Sequence, residues 1–222
     1  MDTLFEVQNI TKQFGMETNR VEALKQSSFM IKNNDIISIS GPSGAGKSTL
    51  LHVLSGLEKV SSGEILFKNR KYSELSHDKM AEIRLHEFGF VFQNFCLISS
   101  MSVQDNIYLP SIIKSGQVDE ELFYELIKEL GLEHRLNHMP DQLSGGEKQR
   151  VTIARALITS PSVIFADEPT GNLDSKNSEA VFTLLFNLVK KFHQTLIYVT
   201  HDVEKAKLAP RKIIVKDGVL YE

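Results

Sequence analysis

Nine consecutive residues, Gly41-Pro42-Ser43-Gly44-Ala45-Gly46-Lys47-Ser48-Thr49, constrain this chain more than any other feature. They fit the pattern G-x-x-x-x-G-K-[ST], follow an apolar β-branched run at 36–40 and open a helical pattern over 47–57. A strand, a glycine-rich turn and a helix in that order set the turn at a helix N-terminus. There, unpaired backbone N–H groups and the helix dipole favour an anion. Glycines let the main chain close around a phosphate without Cβ clashes. In this arrangement Lys47 neutralises the β- and γ-phosphates of a nucleoside triphosphate, and the Ser48 hydroxyl is a ligand for Mg²⁺.

A second marker lies downstream. The apolar run at 162–166 ends in Asp167-Glu168. Paired carboxylates at the end of a buried strand repel each other, and a nearby Mg²⁺ relieves that cost. Asp167 is placed to hold the metal through its hydration shell, and Glu168 to accept a proton from an attacking water. Lys47 and Asp167 lie 120 positions apart, more than one β-α-β crossover needs. The spacing therefore predicts an insert, and residues 94–159 read as a mainly helical lobe. Within it, 119–130 places Leu122, Phe123, Leu126, Ile127 and Leu130 on one face, with Asp119 as N-cap and Gly131 as the stop.

Other short apolar, β-branched runs lie at 5–10, 88–92, 196–200 and 211–215, and several of the runs are nearly unbroken, as in strands covered on both faces. The runs at 5–10, 22–31 and 64–68 have no long helix patterns of their own and predict a small antiparallel sheet. The expected fold is α/β: a parallel-sheet core, an N-terminal antiparallel β subdomain and an inserted α-helical lobe. One domain spans 1–222, with 1–93 and 160–222 supplying the β subdomain and nucleotide-binding core.

Composition narrows the function. The 222 residues are 41% hydrophobic and 24% charged, which suffices for a core without staples, and the net charge of −3 argues against a nucleic-acid partner. Cys96, the single cysteine, excludes an intramolecular disulfide and fits a reducing compartment. The first residues do not read as a signal peptide, and no run approaches the length needed to span a bilayer, so no direct membrane insertion is expected.

The insert carries Leu143-Ser144-Gly145-Gly146-Glu147, followed by Lys148-Gln149-Arg150 and a helix over 151–158. A serine and two glycines at a helix N-terminus make a second anion site. Here the sequence resembles the ABC ATPases, whose signature is usually L-S-G-G-Q. The resemblance covers almost the whole chain and implies a RecA-like core, ATP and Mg²⁺ as cofactors, and a head-to-tail homodimer. In it, Ser144, Gly145 and Gly146 of one subunit close over the ATP held by the phosphate loop, Gly41 to Thr49, of the other. It further implies that Phe14 stacks on adenine, that Gln93 contacts Mg²⁺ and senses the γ-phosphate, and that Asp174 of Asn172-Leu173-Asp174 lies where subunits touch. His201 resembles the switch histidine at the γ-phosphate. Glu168, His201 and Gln93 form the implied catalytic set, and Ser48, Gln93 and Asp167 the metal set.

The stretches at 90–95 and 166–175 resemble ATPases of lipoprotein-releasing, macrolide-exporting and antimicrobial-peptide-resistance systems. That implies an integral membrane permease as partner and a cytoplasmic location, peripheral on the inner face of the membrane. Phe95, Leu97, Ile98, Met101, Ile107 and Leu109 form an apolar set where a permease helix docks in such relatives. Two departures stand out. Glu147 replaces the usual Gln and is expected to change signalling to the helical lobe more than the chemistry. Cys96 stands where these relatives often have Asn, which makes the docking surface particular to this chain. Two alternatives remain at this point: the ATPase of a membrane signalling complex that regulates cell-wall or division enzymes, and a soluble ATPase acting on ribosomes or DNA.

Overall fold

The computed structural model describes residues 3–15 and 19–222. The chain divides into two compact units, Met1–Arg84 with Thr195–Glu222, and Leu85–Gln194.

The first unit holds two sheets. In one, β1 (Thr3–Phe14) pairs antiparallel with β2 (Val21–Lys32) and with β4 (Ser62–Phe67), and β4 continues to β5 (Arg70–Lys71). This is the expected antiparallel sheet, but β1 runs on to Phe14 rather than stopping at Ile10 because Gln13 and Phe14 stay in register with Glu22 and Val21. Irregularities in that register accompany a left-handed Asn9 (φ 50°). In the other sheet β3 (Ile36–Ser40) lies between β8 (Thr195–Val199) and β9 (Arg211–Lys216), parallel to both, with β10 (Val219–Tyr221) antiparallel to β9. Every residue of β8 and the first four of β3 are buried, which is why these runs show no polar alternation. Helices α1 (Lys47–Leu54) and α7 (Val203–Lys207) belong to this unit, and α2 (His77–Glu87) ends at its border. α1 stops three residues short of the expected Leu57. Gly56 turns left-handed (φ 64°), and a Cβ there would stand 2.2 Å from Met80 Cε.

The second unit contains the parallel pair β6 (Phe88–Phe92) and β7 (Val163–Asp167), with α3 (Val103–Ser115), α4 (Glu120–Leu130), α5 (Gly145–Leu157) and α6 (Ser175–Lys191). The helices expected within 94–159 all lie here. α4 begins and ends where its caps predict: the Asp119 carboxylate accepts from Leu122 N at 3.0 Å, and Gly131 adopts φ 62°. Phe123, Leu126, Ile127 and Leu130 are buried along one face. α3 starts on a capping box, Asp105 N donating to Ser102 Oγ at 3.1 Å and Ser102 Oγ to Asp105 Oδ2 at 2.6 Å. Buried Asn106 ties down the preceding loop, its amide donating to the carbonyls of Ile98, Met101 and Ser102.

Candidate functional site

The expected site residues divide between the two units. In the first, β3 and β8 run parallel with Ile39 beside Val199, so the phosphate loop and Thr200-His201 leave the carboxyl ends of neighbouring strands. Loops at that end of a parallel sheet are where α/β proteins place ligands.

The loop's glycines are dictated by its surroundings. Gly41 has φ 144°, and a Cβ on it would lie 2.0 Å from the carbonyl oxygen of Val215 in β9. Gly46 has φ 107°, and a Cβ there would lie 2.3 Å from Ala23 O in β2. Gly44 (φ 74°) is different, since a Cβ would meet nothing within 4 Å. Backbone therefore presses the loop from behind while its outer side stays open to a large anion. Gly46 is the N-cap of α1 and has no side chain to cap with, and the first turn of that helix carries no acid. Its N–H groups and dipole thus suit a phosphate. Lys47 arches back over the loop, donating to Gly41 O at 3.0 Å and Pro42 O at 2.8 Å. Pro42, Ser43 and Gly44 are exposed, Ala45 is buried, and Ser48 and Thr49 are half-buried in the first turn of α1.

The hairpin β9–β10 buttresses this loop, with Gly218 N donating to Ala45 O at 3.1 Å and Lys25 N to Gly218 O at 2.8 Å. Its Asp217-Gly218 turn has φ 50° and 76°. Asp-Gly between β-branched runs is a hairpin signal readable in the sequence, although its supporting role is not. His201 is exposed immediately before α7, which Asp202 N-caps. Phe14 ends β1 with 42% of its surface exposed and Lys12 Nζ 4.6 Å from its ring centroid, an accessible aromatic face suited to stacking.

In the second unit Phe92 and Asp167 are register partners, so Gln93 and Asp167-Glu168 likewise leave adjacent strand ends. Glu168 is held left-handed at φ 47° and its carbonyl closes a turn with Gly171 N at 3.0 Å. A carboxylate-bearing residue in that conformation is a site of stored backbone strain. Gly171 makes room for Gln93, whose Nε2 would stand 2.7 Å from a Cβ on it. Two amides then clasp. Gln93 Nε2 donates to Asn172 Oδ1 at 3.1 Å, while Asn172 Nδ2 donates to Gln93 O at 3.0 Å and Asn94 Oδ1 at 3.1 Å. Asp174 N-caps α6 through Asn177 N at 3.1 Å, and Asn177's amide bond to it keeps its carboxyl below the ordinary range.

The signature begins α5 as a complete capping box. Ser144 Oγ accepts from Glu147 N at 3.3 Å and donates to Glu147 Oε2 at 2.6 Å, and Oε2 also accepts from Ser144 N at 2.9 Å. The other carboxylate oxygen takes Arg135 Nε at 2.7 Å. The Ser144 hydroxyl, the Ser144 amide and Arg135 together hold the Glu147 carboxyl down at about 2. Gly145 faces the Asn172-Leu173 turn, a Cβ on it falling 3.2 Å from Leu173 Cδ2.

Of the apolar set expected to dock a partner, Ile107 does not belong: it is fully buried on the inner face of α3. Phe95, Leu97, Met101 and Leu109 are half-buried and Ile98 is exposed. Phe95 and Cys96 both adopt positive φ and present their carbonyls to Arg155, at 2.9 and 2.6 Å. Nothing in the sequence alone assigns a role to Arg135, Arg155 or Asn106. The partners of Arg135 and Arg155 lie 12 and about 60 positions away, too far for a local pattern to reveal them, whereas Asn106 binds carbonyls four to eight positions before it in a loop with no regular repeat.

Known proteins match this arrangement over nearly the full chain. A family profile described as "ABC transporter" matches residues 24–171. The lipoprotein-releasing system ATP-binding protein LolD of Buchnera aphidicola subsp. Schizaphis graminum is 42% identical over 215 residues, 96% of this chain and 94% of that protein. The macrolide export ATP-binding/permease protein MacB of Marinobacter nauticus is 44% identical over 222 residues, 99% of this chain but 34% of that longer protein. Among solved structures, a dimeric post-hydrolysis state of the ATP-binding cassette MJ0796 bound to ADP and Pi has a TM-score of 0.88 at 40% identity, covering 99% of this chain and 97% of that one. MJ0796 is a protein of Methanocaldococcus jannaschii. With a phosphate loop, a signature helix and strand-end carboxylates in an α/β framework of this kind, the chain belongs to the ABC transporter family as an ATP-binding cassette.

Proposed function

We propose that the chain is the ATP-hydrolysing subunit of a membrane transporter, working as a homodimer around two ATP molecules. What carries the reading is the phosphate loop, where flanking backbone enforces Gly41 and Gly46 while Lys47 and the α1 N-terminus supply positive charge and donors to one open side. Full-length likeness to cassettes, one of them dimeric with ADP and Pi, supports the dimer.

In this reading Phe14 stacks on the adenine, the residues Gly41 to Thr49 hold the phosphates, and Ser144, Gly145 and Gly146 of the opposite subunit complete the cradle, with Asp174 at the subunit contact. Ser48, Gln93 and Asp167 offer only oxygen atoms for a cation, the donor set that Mg²⁺ takes. If these residues held Mg²⁺, it would supply charge neutralisation on the phosphate oxygens. Glu168 accepts the proton of the attacking water, and His201 and Gln93 orient and sense the γ-phosphate. The β subdomain and nucleotide-binding core comprise 1–93 and 160–222, and the lobe 94–159 carries the signature and the face toward an integral membrane permease. Among the described residues no helix is long and apolar enough to cross a membrane. In this reading the chain sits on the cytoplasmic side, peripheral on the inner face, held there by that partner.

The test is Glu168→Gln. The expected protein binds ATP and dimerises, with turnover lowered at least about 100-fold. Turnover within a few-fold of the parent would refute the base assignment. Gentle solubilisation of host membranes with ATP present, followed by identification of a stoichiometric multi-spanning protein on the tagged variant, tests the permease. Recovery of ribosomal or DNA-associated proteins alone would overturn it.

A further inference from the structure

We propose that Glu147 and Arg135 set the strength of the ATP-bridged dimer through opposed charges beside Ser144, the carboxylate weakening closure and the guanidinium restoring it. This rests on the reading that Ser144 and its neighbours receive the γ-phosphate of the facing subunit.

The geometry sets up a competition. The Ser144 hydroxyl has one proton to give, and it gives it to Glu147 Oε2 at 2.6 Å. A phosphate oxygen that is to be held by that hydroxyl must take the proton from a carboxylate. Any such oxygen at hydrogen-bond distance also lies within about 5 Å of a full negative charge. Helix initiation does not call for that charge, because Gln at the same position completes a capping box equally well. The charge is also permanent: with its carboxyl held at about 2, Glu147 stays ionised across the working pH range, so the device is a fixed setting and not a pH switch.

Arg135 supplies the counterweight. Its Nε lies 2.7 Å from Glu147 Oε1, with the two side chains 40% and 16% exposed. It reaches the signature from a short 3-10 helix, Glu133–Arg135, so the balance of charge at the anion site depends on where that segment of the second unit sits. His138 Nε2 stands 3.3 Å from Arg135 Nη1 and steadies the guanidinium from its other end. A partner that draws Arg135 away from Glu147 leaves the carboxylate unneutralised beside the phosphate and loosens the dimer. Neither residue touches a reacting atom, so both are positioning residues that act through Ser144.

The two partners therefore have effects of opposite sign, which a purely structural salt bridge does not. In full-length protein carrying Glu168→Gln, dimerisation is followed by light scattering as ATP is raised. Glu147→Gln is expected to lower the ATP concentration for half-dimerisation by about fivefold, and Arg135→Gln to raise it by about the same factor. The double variant returns near the parent value, and both shifts shrink at about 0.5 M salt. Shifts of the same sign, no shift, or shifts indifferent to salt would overturn the proposal, even if melting temperatures fall. Ser144→Ala separates the underlying reading from the proposal. If that variant dimerises like the parent, the assignment of the signature to the γ-phosphate fails and the charge balance fails with it. If it dimerises poorly while Glu147→Gln and Arg135→Gln behave alike, the charge balance alone is wrong.

Discussion

Asn172→Ala removes the clasp on Gln93 together with one bond to the neighbouring Asn94. Three hydrogen bonds disappear, at 3.1, 3.0 and 3.1 Å, two of them running from the Asn172 amide to Gln93 O and Asn94 Oδ1. Asn172 and Asn94 are exposed and Gln93 is half-buried, so water replaces what is lost. The net stability cost is about 1 kcal/mol in total rather than for each bond, equivalent to roughly 2–4 °C in melting temperature for a chain of this size. Catalysis responds differently. Freed from Asn172, the Gln93 side chain samples several rotamers instead of one, and misplacement of about 1 Å at a reacting centre lowers rates by up to about 100-fold.

The expected outcome is a fall in kcat of about tenfold with the KM for ATP unchanged within twofold, because no phosphate-loop residue is altered. Asn172→Asp keeps an acceptor for Gln93 Nε2 and loses both donors, so its kcat falls between the two. Phosphate-release kinetics with a thermal melt on the same samples measure both quantities. Parent-like kcat in Asn172→Ala would show that the clasp holds a loop and does not position the sensor. A melting temperature lowered by more than about 10 °C would show that the bonds are structural beyond this accounting.

Other perturbations discriminate further. Gly41→Ala drives a Cβ to 2.0 Å from Val215 O at φ 144°, and displacement of β9 is expected to cost about 3 kcal/mol; Gly44→Ala, with nothing within 4 Å, costs only about 1 kcal/mol of left-handed strain, so urea melts of the two should differ clearly. Glu147 has its carboxyl lowered from 4.5 to about 2 on folding, so its stabilising contribution is complete above pH 4.5 and is lost as pH falls toward 2. Glu147→Gln should accordingly lose less stability than the parent between pH 5 and pH 2.5 in thermal melts, with little difference between their slopes above pH 5.

The residues that sequence reading located and those it did not are separated by a physical distinction. Gly41, Gln93, Asp167 and His201 each follow the end of a short apolar run, and the structure shows why: β3, β6, β7 and β8 are so largely buried that polar chemistry is confined to where they end. Local signals also fixed α4, because Asp119 and Gly131 cap it from adjacent positions. The signals failed where tertiary contacts decide. β1 outruns its apolar core because β2 continues to pair with it, and α1 ends early against Met80. Ile107 looks like the other apolar residues near it, and only the packing of α3 turns it inward.

Gln93 and Asn172 are 79 positions apart, and Arg135 and Glu147 are 12 apart across a break between a 3-10 helix and α5. Residues such as Asn172 and Arg135 perform no chemistry that demands a particular side chain at a particular step. In the proposed function they orient those that do, and an orienting role can be filled from any loop that comes within hydrogen-bond distance. That is why the strand ends announce themselves in the sequence while the groups that aim them do not. It also orders the consequences of mutation. On the proposed function, loss of a strand-end residue is expected to abolish a step, whereas loss of Asn172 or Arg135 is expected to shift its rate or its equilibrium and leave the fold standing. In the second unit Gly145 packs against Leu173, the residue after the one that holds Gln93. The signature turn and the Gln93 clasp therefore share a wall, and a double-mutant cycle between Asn172→Ala and Glu147→Gln should show non-additive turnover. Strict additivity would mean that this shared wall carries no coupling and that the two devices work independently.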